Sequence, residues 1–348
     1  MQTLVSPLTD WFQTTIAGSV VWSAIGLVAV IVAGFIMIWL LAKAARIGIR
    51  ALQLQMASRK RRSSQGFGIA VAPIAGPGGG KQTRGILAAL ENHLHLFTFG
   101  SPSEIVRAPR LRAHGAKGLR AAAIDYLESS STDLVLWGRR DPDKASPSQI
   151  DILSCGGSLA PADAMHLEGY FPVLSTDNEE TTAQVIAYLV ARALQPGLSD
   201  GSSFKAEKLA PVADILVQAL TAGGDLPART LQTLENDYAA MALHLGGAEH
   251  LSRVAELRRA RLSSGAPLPP EQEIQARIDL GRALLGLATI KFDPVQIREA
   301  MDQLKLAVER LKTDPIMRLA QATNQAVQQG QTMLANRQRF SVTGGSNV

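Results

Sequence analysis

The chain has a single cysteine, Cys155, in 348 residues, so no intramolecular disulfide can form. That agrees with a reducing compartment. One thiol and six scattered histidines (93, 95, 114, 166, 244 and 250) give no metal-ligand spacing. His93 and His95 are two apart and could share a strand face, which reads as a solvated strand entry rather than a zinc site. No Gly-x-Ser-x-Gly elbow is present, and the Ser-Cys-Gly-Gly setting of Cys155 reads as a packed turn. Aromatic residues are only 5% of the chain. That counts against a nucleic-acid surface, which needs a basic face and often stacking rings. The longest absence is of charge: from Trp11 to Ala42 there is not one charged residue.

A charge-free run of 32 residues reads as a membrane span. Its core, Val20 to Leu41, has 22 residues, about 33 Å as a helix against a hydrocarbon layer of about 30 Å. Trp11, Trp22 and Trp39 lie near its ends, where indoles prefer the headgroup layer. A cleaved signal peptide is the competing reading. It needs positive charge before a shorter apolar stretch, whereas here the charge comes after it. The expectation is a retained helix over 17–42 after a short extracytoplasmic segment, 1–16. Lys43, Arg46, Arg50, Arg59, Lys60, Arg61 and Arg62 come directly after it. Such a cluster suits anionic headgroups and marks the cytoplasmic side. The sequence therefore predicts a single-pass inner-membrane protein, amino terminus out and carboxyl terminus cytoplasmic. Ser19/Ser23 and Ala29/Ala33 have the spacing that lets such helices pair.

The basic flank also accounts for the calculated pI near 9.5. Residues 1–90 hold nine Lys/Arg and one acid, while the remainder holds 26 Lys/Arg and 29 acids. The chain beyond the basic tether, 43–66, is mildly acidic, which argues against DNA or RNA as a partner.

Residues 67–195 alternate strand-like and helix-like segments, and predict a small mixed-sheet α/β domain. Strands are expected at Phe67–Pro73, Leu94–Phe99, Asp133–Gly138, Gln149–Leu153 and near Tyr170–Leu174. Helices are expected at Lys81–Asn92, Leu119–Glu128 and Thr182–Leu194. Residues 196–203 read as a linker. Helical patterns then fill 204–340, with Gly or Pro at several joints, as antiparallel helix pairs need. Residues 341–348 read as a disordered tail.

One turn has the position of a phosphate loop: Ala75-Gly76-Pro77-Gly78-Gly79-Gly80-Lys81-Gln82-Thr83, between a strand and a helix amino terminus. Gly78, Gly79, Gly80 and Lys81 are the candidate anion-binding residues. A full phosphate loop has Gly, four residues, then Gly-Lys-Ser/Thr. Here Ala75 stands at the first Gly, Gln82 stands where the hydroxyl belongs, and Thr83 is one place late. An unconstrained flexible turn is the plainer reading. Asp141 and Asp143 sit in a polar loop with Arg139 and Arg140 and read as solvated charge. No catalytic set emerges, and a nucleotide is the one cofactor the sequence leaves open.

In the helical half, Leu280-Gly281 is followed by Leu284, and the next helix offers Ala300, Leu304 and Ala307. Small residues there let two helices approach while a Leu fills the gap. That is the packing logic of a helix-pair repeat near 34 residues. An ordinary helical bundle uses the same letters.

Residues 67–195 resemble the cytoplasmic TolB-amino-terminal-like domains of bacterial membrane proteins, often found ahead of tetratricopeptide repeats. The residues that carry this are Ile69-Ala70-Val71-Ala72-Pro73, Asp133–Arg139 and Gln149–Leu153. The family's polar segment after the first Pro is replaced here by Gly76–Gly80. Residues 278–312 resemble a tetratricopeptide repeat through Leu280, Gly281, Leu284, Ala300, Leu304 and Ala307. Together the resemblances imply a membrane-anchored scaffold that binds protein partners through 204–340. The α/β domain would serve as a binding or homo-oligomerisation module. The alternative is a nucleotide-responsive module built on Gly76–Lys81.

Overall fold

A buried apolar strand, β1 (Phe67–Val71), lies at the centre of the parallel part of the sheet, with Ile69, Ala70 and Val71 fully enclosed. The structure is a computed structural model. It describes residues 66–111, 115–130, 132–140, 147–155, 163–172, 179–199, 201, 203–222, 226–265 and 267–343, together with Met37. The chain divides into two compact units, Met1–Ser63 and Ser64–Val348. The expected span over 17–42, the lipid-contact residues Lys43 to Arg62, and Asp141 and Asp143 lie outside the described residues, apart from the helical Met37. Among the described residues, no helix is long and apolar enough to cross a membrane.

The second unit combines a mixed sheet with helices, as the alternating pattern predicts. After β1 come α1 (Gly79–His93), β2 (Ser103–Arg107), α2 (Gly115–Ser130), β3 (Leu134–Arg139), β4 (Ser148–Ser154), β5 (Met165–Phe171) and α3 (Glu179–Leu194). The sheet order is β2-β1-β3-β4-β5. Strands β2, β1 and β3 are parallel, and β3, β4 and β5 form an antiparallel meander. Crossovers that leave β1 in one direction and return past it in the other, both right-handed, put α1 and α2 on opposite faces. Ile69, Val71, Leu134, Leu136, Ile150 and Ile152 meet Ile86 and Leu90 of α1 and Val185, Ile186 and Val190 of α3 in one core.

The strand expected at Leu94–Phe99 is not one. Leu94–Leu96 form a 3-10 turn, and the second strand is Ser103–Arg107. Leu94 and Phe97, three residues apart, are both fully buried, and Phe97 meets the Tyr188 ring edge-on at 5.6 Å. A strand would have put these two side chains on opposite faces. Phe99 and Gly100, both at positive φ, then turn the chain back towards β1. The fifth strand also sits earlier than expected, at Met165–Phe171.

The helical half comprises α4 (Ala206–Ala222), α5 (Ala228–Leu245), α6 (Ala248–Ser263), α7 (Pro270–Ile290), α8 (Pro294–Thr313) and α9 (Met317–Thr343). Helix α9 runs into the expected tail, of which 344–348 lie outside the described residues. Helix α8 starts with Pro294 in its first turn, where no N–H is needed. The Asp293 carboxylate caps it by accepting from the N–H of Val295 and Gln296. Residues 196–199 of the expected linker form a 3-10 turn with Leu198 fully buried. The core continues from the sheet through α3 into Leu209, Tyr238, Leu284 and Leu304. Thr230 of α5 donates to the Tyr170 carbonyl, so α5 packs on edge strand β5.

The close approach anticipated around Leu280-Gly281 is present. A Cβ added at Gly281 would lie 2.7 Å from Cγ of Leu304. Leu280, Leu284, Ala300, Leu304 and Ala307 are all buried. Next to this seam, Arg258 of α6 and Asp279 of α7 form a buried ion pair at 2.9 Å, and Gln275 donates to the other carboxylate oxygen at 2.7 Å.

Candidate functional sites

The glycine turn sits at the carboxyl ends of β1 and β3, where the crossovers diverge. In open α/β sheets this is the usual place for a ligand. The turn is built rather than loose. Ala75 N–H donates to the Gly138 carbonyl and Arg140 N–H to the Ala75 carbonyl, which extends the pairing of β1 with β3. Gly76 has φ 95°, and a Cβ there would meet the Arg140 carbonyl at 2.2 Å. A Cβ at Gly78, φ 72°, would lie 2.9 Å from Nη1 of Arg140. Only glycine fits such positions without strain.

The four candidate residues divide in two. Gly79 is buried at the start of α1, while Gly78, Gly80 and Lys81 are exposed. The N–H groups of Gly79, Lys81 and Gln82 donate within the turn, to Gly76, Gly78 and Gly78. Thr83 faces inward: its hydroxyl donates to the Gly79 carbonyl and accepts from Ile74 N–H. Gln82 is also buried, its amide donating to the Pro172 carbonyl. Neither residue is placed to hold Mg²⁺ on a nucleotide, so the turn offers at most Lys81 and exposed backbone to an anion. Cys155 lies half-buried at the end of β4, its N–H donating to the Asp133 carbonyl.

A second site lies in the helical half, which the sequence marked only as a whole. A groove of about 530 Å³ opens between α4, α5 and α6. That size accommodates a ligand or a few residues of a peptide. Val217 and Tyr238 form its apolar floor, and Asp214, Glu249 and Glu256 bring three carboxylates to it. Arg253 is the single guanidinium among its lining residues. It donates to Thr221 at 3.1 Å and to Glu256 at 3.4 Å, and its Nε is buried without an acceptor. Burial pushes the Tyr238 hydroxyl up to about 12, with Arg253 pulling it down and Glu249 and Asp214 raising it. The hydroxyl thus stays protonated, 3.4 Å from Nδ1 of His250. The groove is net negative, with three carboxylates against one guanidinium.

A third group couples the sheet to the helices. Asp237 of α5 accepts from the Tyr188 hydroxyl at 2.9 Å and from Arg192, both on α3. Burial pushes its carboxyl up to about 6, against the pull of Arg192 and of both hydrogen bonds. These side chains are 45 and 49 residues from Asp237, so no local pattern in the sequence reveals them.

Compared with models of known families, with curated proteins and with solved structures, the chain matches none. The resemblances of 67–195 and 278–312 therefore rest on their quoted residues alone.

Proposed function

We propose that the chain is a membrane-anchored scaffold whose α4-α5-α6 groove takes a basic segment of a partner protein. The single observation that carries this reading is the composition of the groove. It joins the apolar side chains of Val217 and Tyr238 to three carboxylates, with Arg253 as the single guanidinium. A peptide offers matching chemistry: a Lys or Arg for the carboxylates and an aliphatic stem for Val217 and Tyr238. Anchoring through 17–42, with Lys43 to Arg62 against anionic lipid, is part of the proposal. It is supported by the charge-free run and its basic flank. The test is the affinity of basic peptides for the wild type and for a groove with reversed charge. A reporter fused after Val348 tests the topology, and activity confined to the extracytoplasmic side would overturn it.

A second reading, a nucleotide-responsive module, is favoured by the glycine turn at the point where the β1 and β3 crossovers diverge. The inward-facing Thr83 and Gln82 weigh against it. Calorimetry with ATP and GTP separates the two. Micromolar binding that Lys81→Ala abolishes would replace the scaffold-only account.

A further inference from the structure

The face of the sheet opposite α1 and α3 carries a polar cluster made by strand register. In the antiparallel meander, Trp137 faces Asp151, Asp151 faces Glu168, and Leu153 faces His166. Directly paired residues share a face, so Trp137, Asp151, His166 and Glu168 all project on one side. His166 Nε2 lies 3.1 Å from Oδ1 of Asp151, and both side chains are less than a quarter exposed. The His166 ring stacks on Trp137, with centroids 5.8 Å apart and planes 3° from parallel. This fixes where Nε2 points. One ligand atom from each of Asp151, His166 and Glu168 lies within 4.8 Å of the others.

We propose that Asp151, His166 and Glu168 bind a divalent first-row transition-metal ion. One imidazole nitrogen and two carboxylates form a mixed N/O donor set, which suits Zn²⁺, Fe²⁺, Co²⁺ or Mn²⁺ better than Ca²⁺. Two carboxylates with a neutral imidazole balance the ion's charge. Ligand bonds of about 2.0–2.2 Å bring donor atoms to about 3–3.6 Å apart, and the Asp151–His166 pair already meets this. Glu168 is exposed and can close the remaining gap by changing rotamer. Three protein ligands, with Glu168 exposed to solvent, leave coordination positions to water or a further ligand. Arg139, whose charge acts on Asp151, turns to the Gln149 amide oxygen. The site is independent of the groove.

The test is titration of the chelator-treated full-length chain with Co²⁺, followed by visible absorption, and with Zn²⁺ by calorimetry. One equivalent should bind, with affinity falling at least tenfold in Glu168→Gln and in His166→Asn. His93→Gln/His95→Gln should bind as the wild type does. Glu168→Gln changes only an exposed side chain, so it reports on the site even if His166→Asn misfolds. Unaltered affinity in Glu168→Gln, loss in the His93/His95 variant instead, or no saturable binding below a millimolar would each overturn the assignment.

Discussion

The Tyr188 hydroxyl donates to the Asp237 carboxylate at 2.9 Å, across the junction between α3 and α5. The bond joins the last helix of the sheet layer to the helical half inside a continuous apolar core. A buried carboxylate is costly there unless its partners hold it, and Arg192 and Tyr188 both do.

This junction has a definite pH signature. The folded Asp237 carboxyl is raised to about 6 from the ordinary 3.8. Between those values the folded chain holds a proton that the unfolded chain releases. Stability from this group is therefore fully present below about pH 4 and is lost as pH rises through about 6. The expected loss is at most about 3 kcal/mol, at about 1.4 kcal/mol per pKa unit. Denaturant unfolding of wild type and Asp237→Asn at pH 4 to 7 measures it. The stability advantage of the wild type should shrink as pH rises; a widening advantage would mean that Arg192 dominates over burial.

Gly281 and Leu304 set the spacing of α7 and α8. Gly281→Val overpacks this seam and should cost about 1–3 kcal/mol. Adding Leu304→Ala, itself worth about 2–5 kcal/mol, removes the clash. The double variant should therefore lose less than the two single losses combined, by more than about 0.5 kcal/mol. Additive losses in thermal or denaturant unfolding would refute the contact.

Arg258 and Asp279 are each almost completely buried. Asp279→Leu alone strands a guanidinium and should cost about 3–5 kcal/mol, whereas Arg258→Met with Asp279→Leu should recover most of that. Chemical denaturation of the three proteins reads the difference.

Thr83 belongs to the fold of the glycine turn. Thr83→Val leaves Ile74 N–H buried and unpaired, at a cost of about 1–3 kcal/mol, and Thr83→Ser keeps the bond. Lys81→Ala, at an exposed position, should stay within about 0.5 kcal/mol of wild type. Equal melting temperatures for Thr83→Val and wild type would show that the hydroxyl does not hold the turn.

Legibility in the sequence depends on how local each signal is. Helices α5 and α7 begin and end where apolar periodicity and Pro or Gly place them. The Leu280-Gly281 seam was legible because a small residue beside a large one already describes a close approach. Strand β2 was not: Ser103–Arg107 has two apolar residues, Ile105 and Val106, and lies at a sheet edge. Leu94–Phe99 alternates like a strand, yet burial of Leu94 and Phe97 on one side decides for a turn. Asp151, His166 and Glu168 depend on antiparallel register, which no spacing rule contains. The only trace was His166 and Glu168 two apart, the period of one strand face. The groove escaped for the same reason, since its carboxylates come from α4 and α6.

The central claim is that the α4-α5-α6 groove recognises a basic peptide segment. Its most direct measurement selects random dodecapeptides on the full-length chain, then compares the winners' affinities for wild type and Asp214→Lys/Glu249→Lys. Both substituted side chains are exposed, so the fold should persist, with a loss of up to about 1 kcal/mol from removing the first-turn acid of α6. The account predicts winners rich in Lys and Arg whose affinity falls about tenfold or more in the variant, about 1.4 kcal/mol. Winners without basic residues, or equal affinity for both proteins, would contradict it.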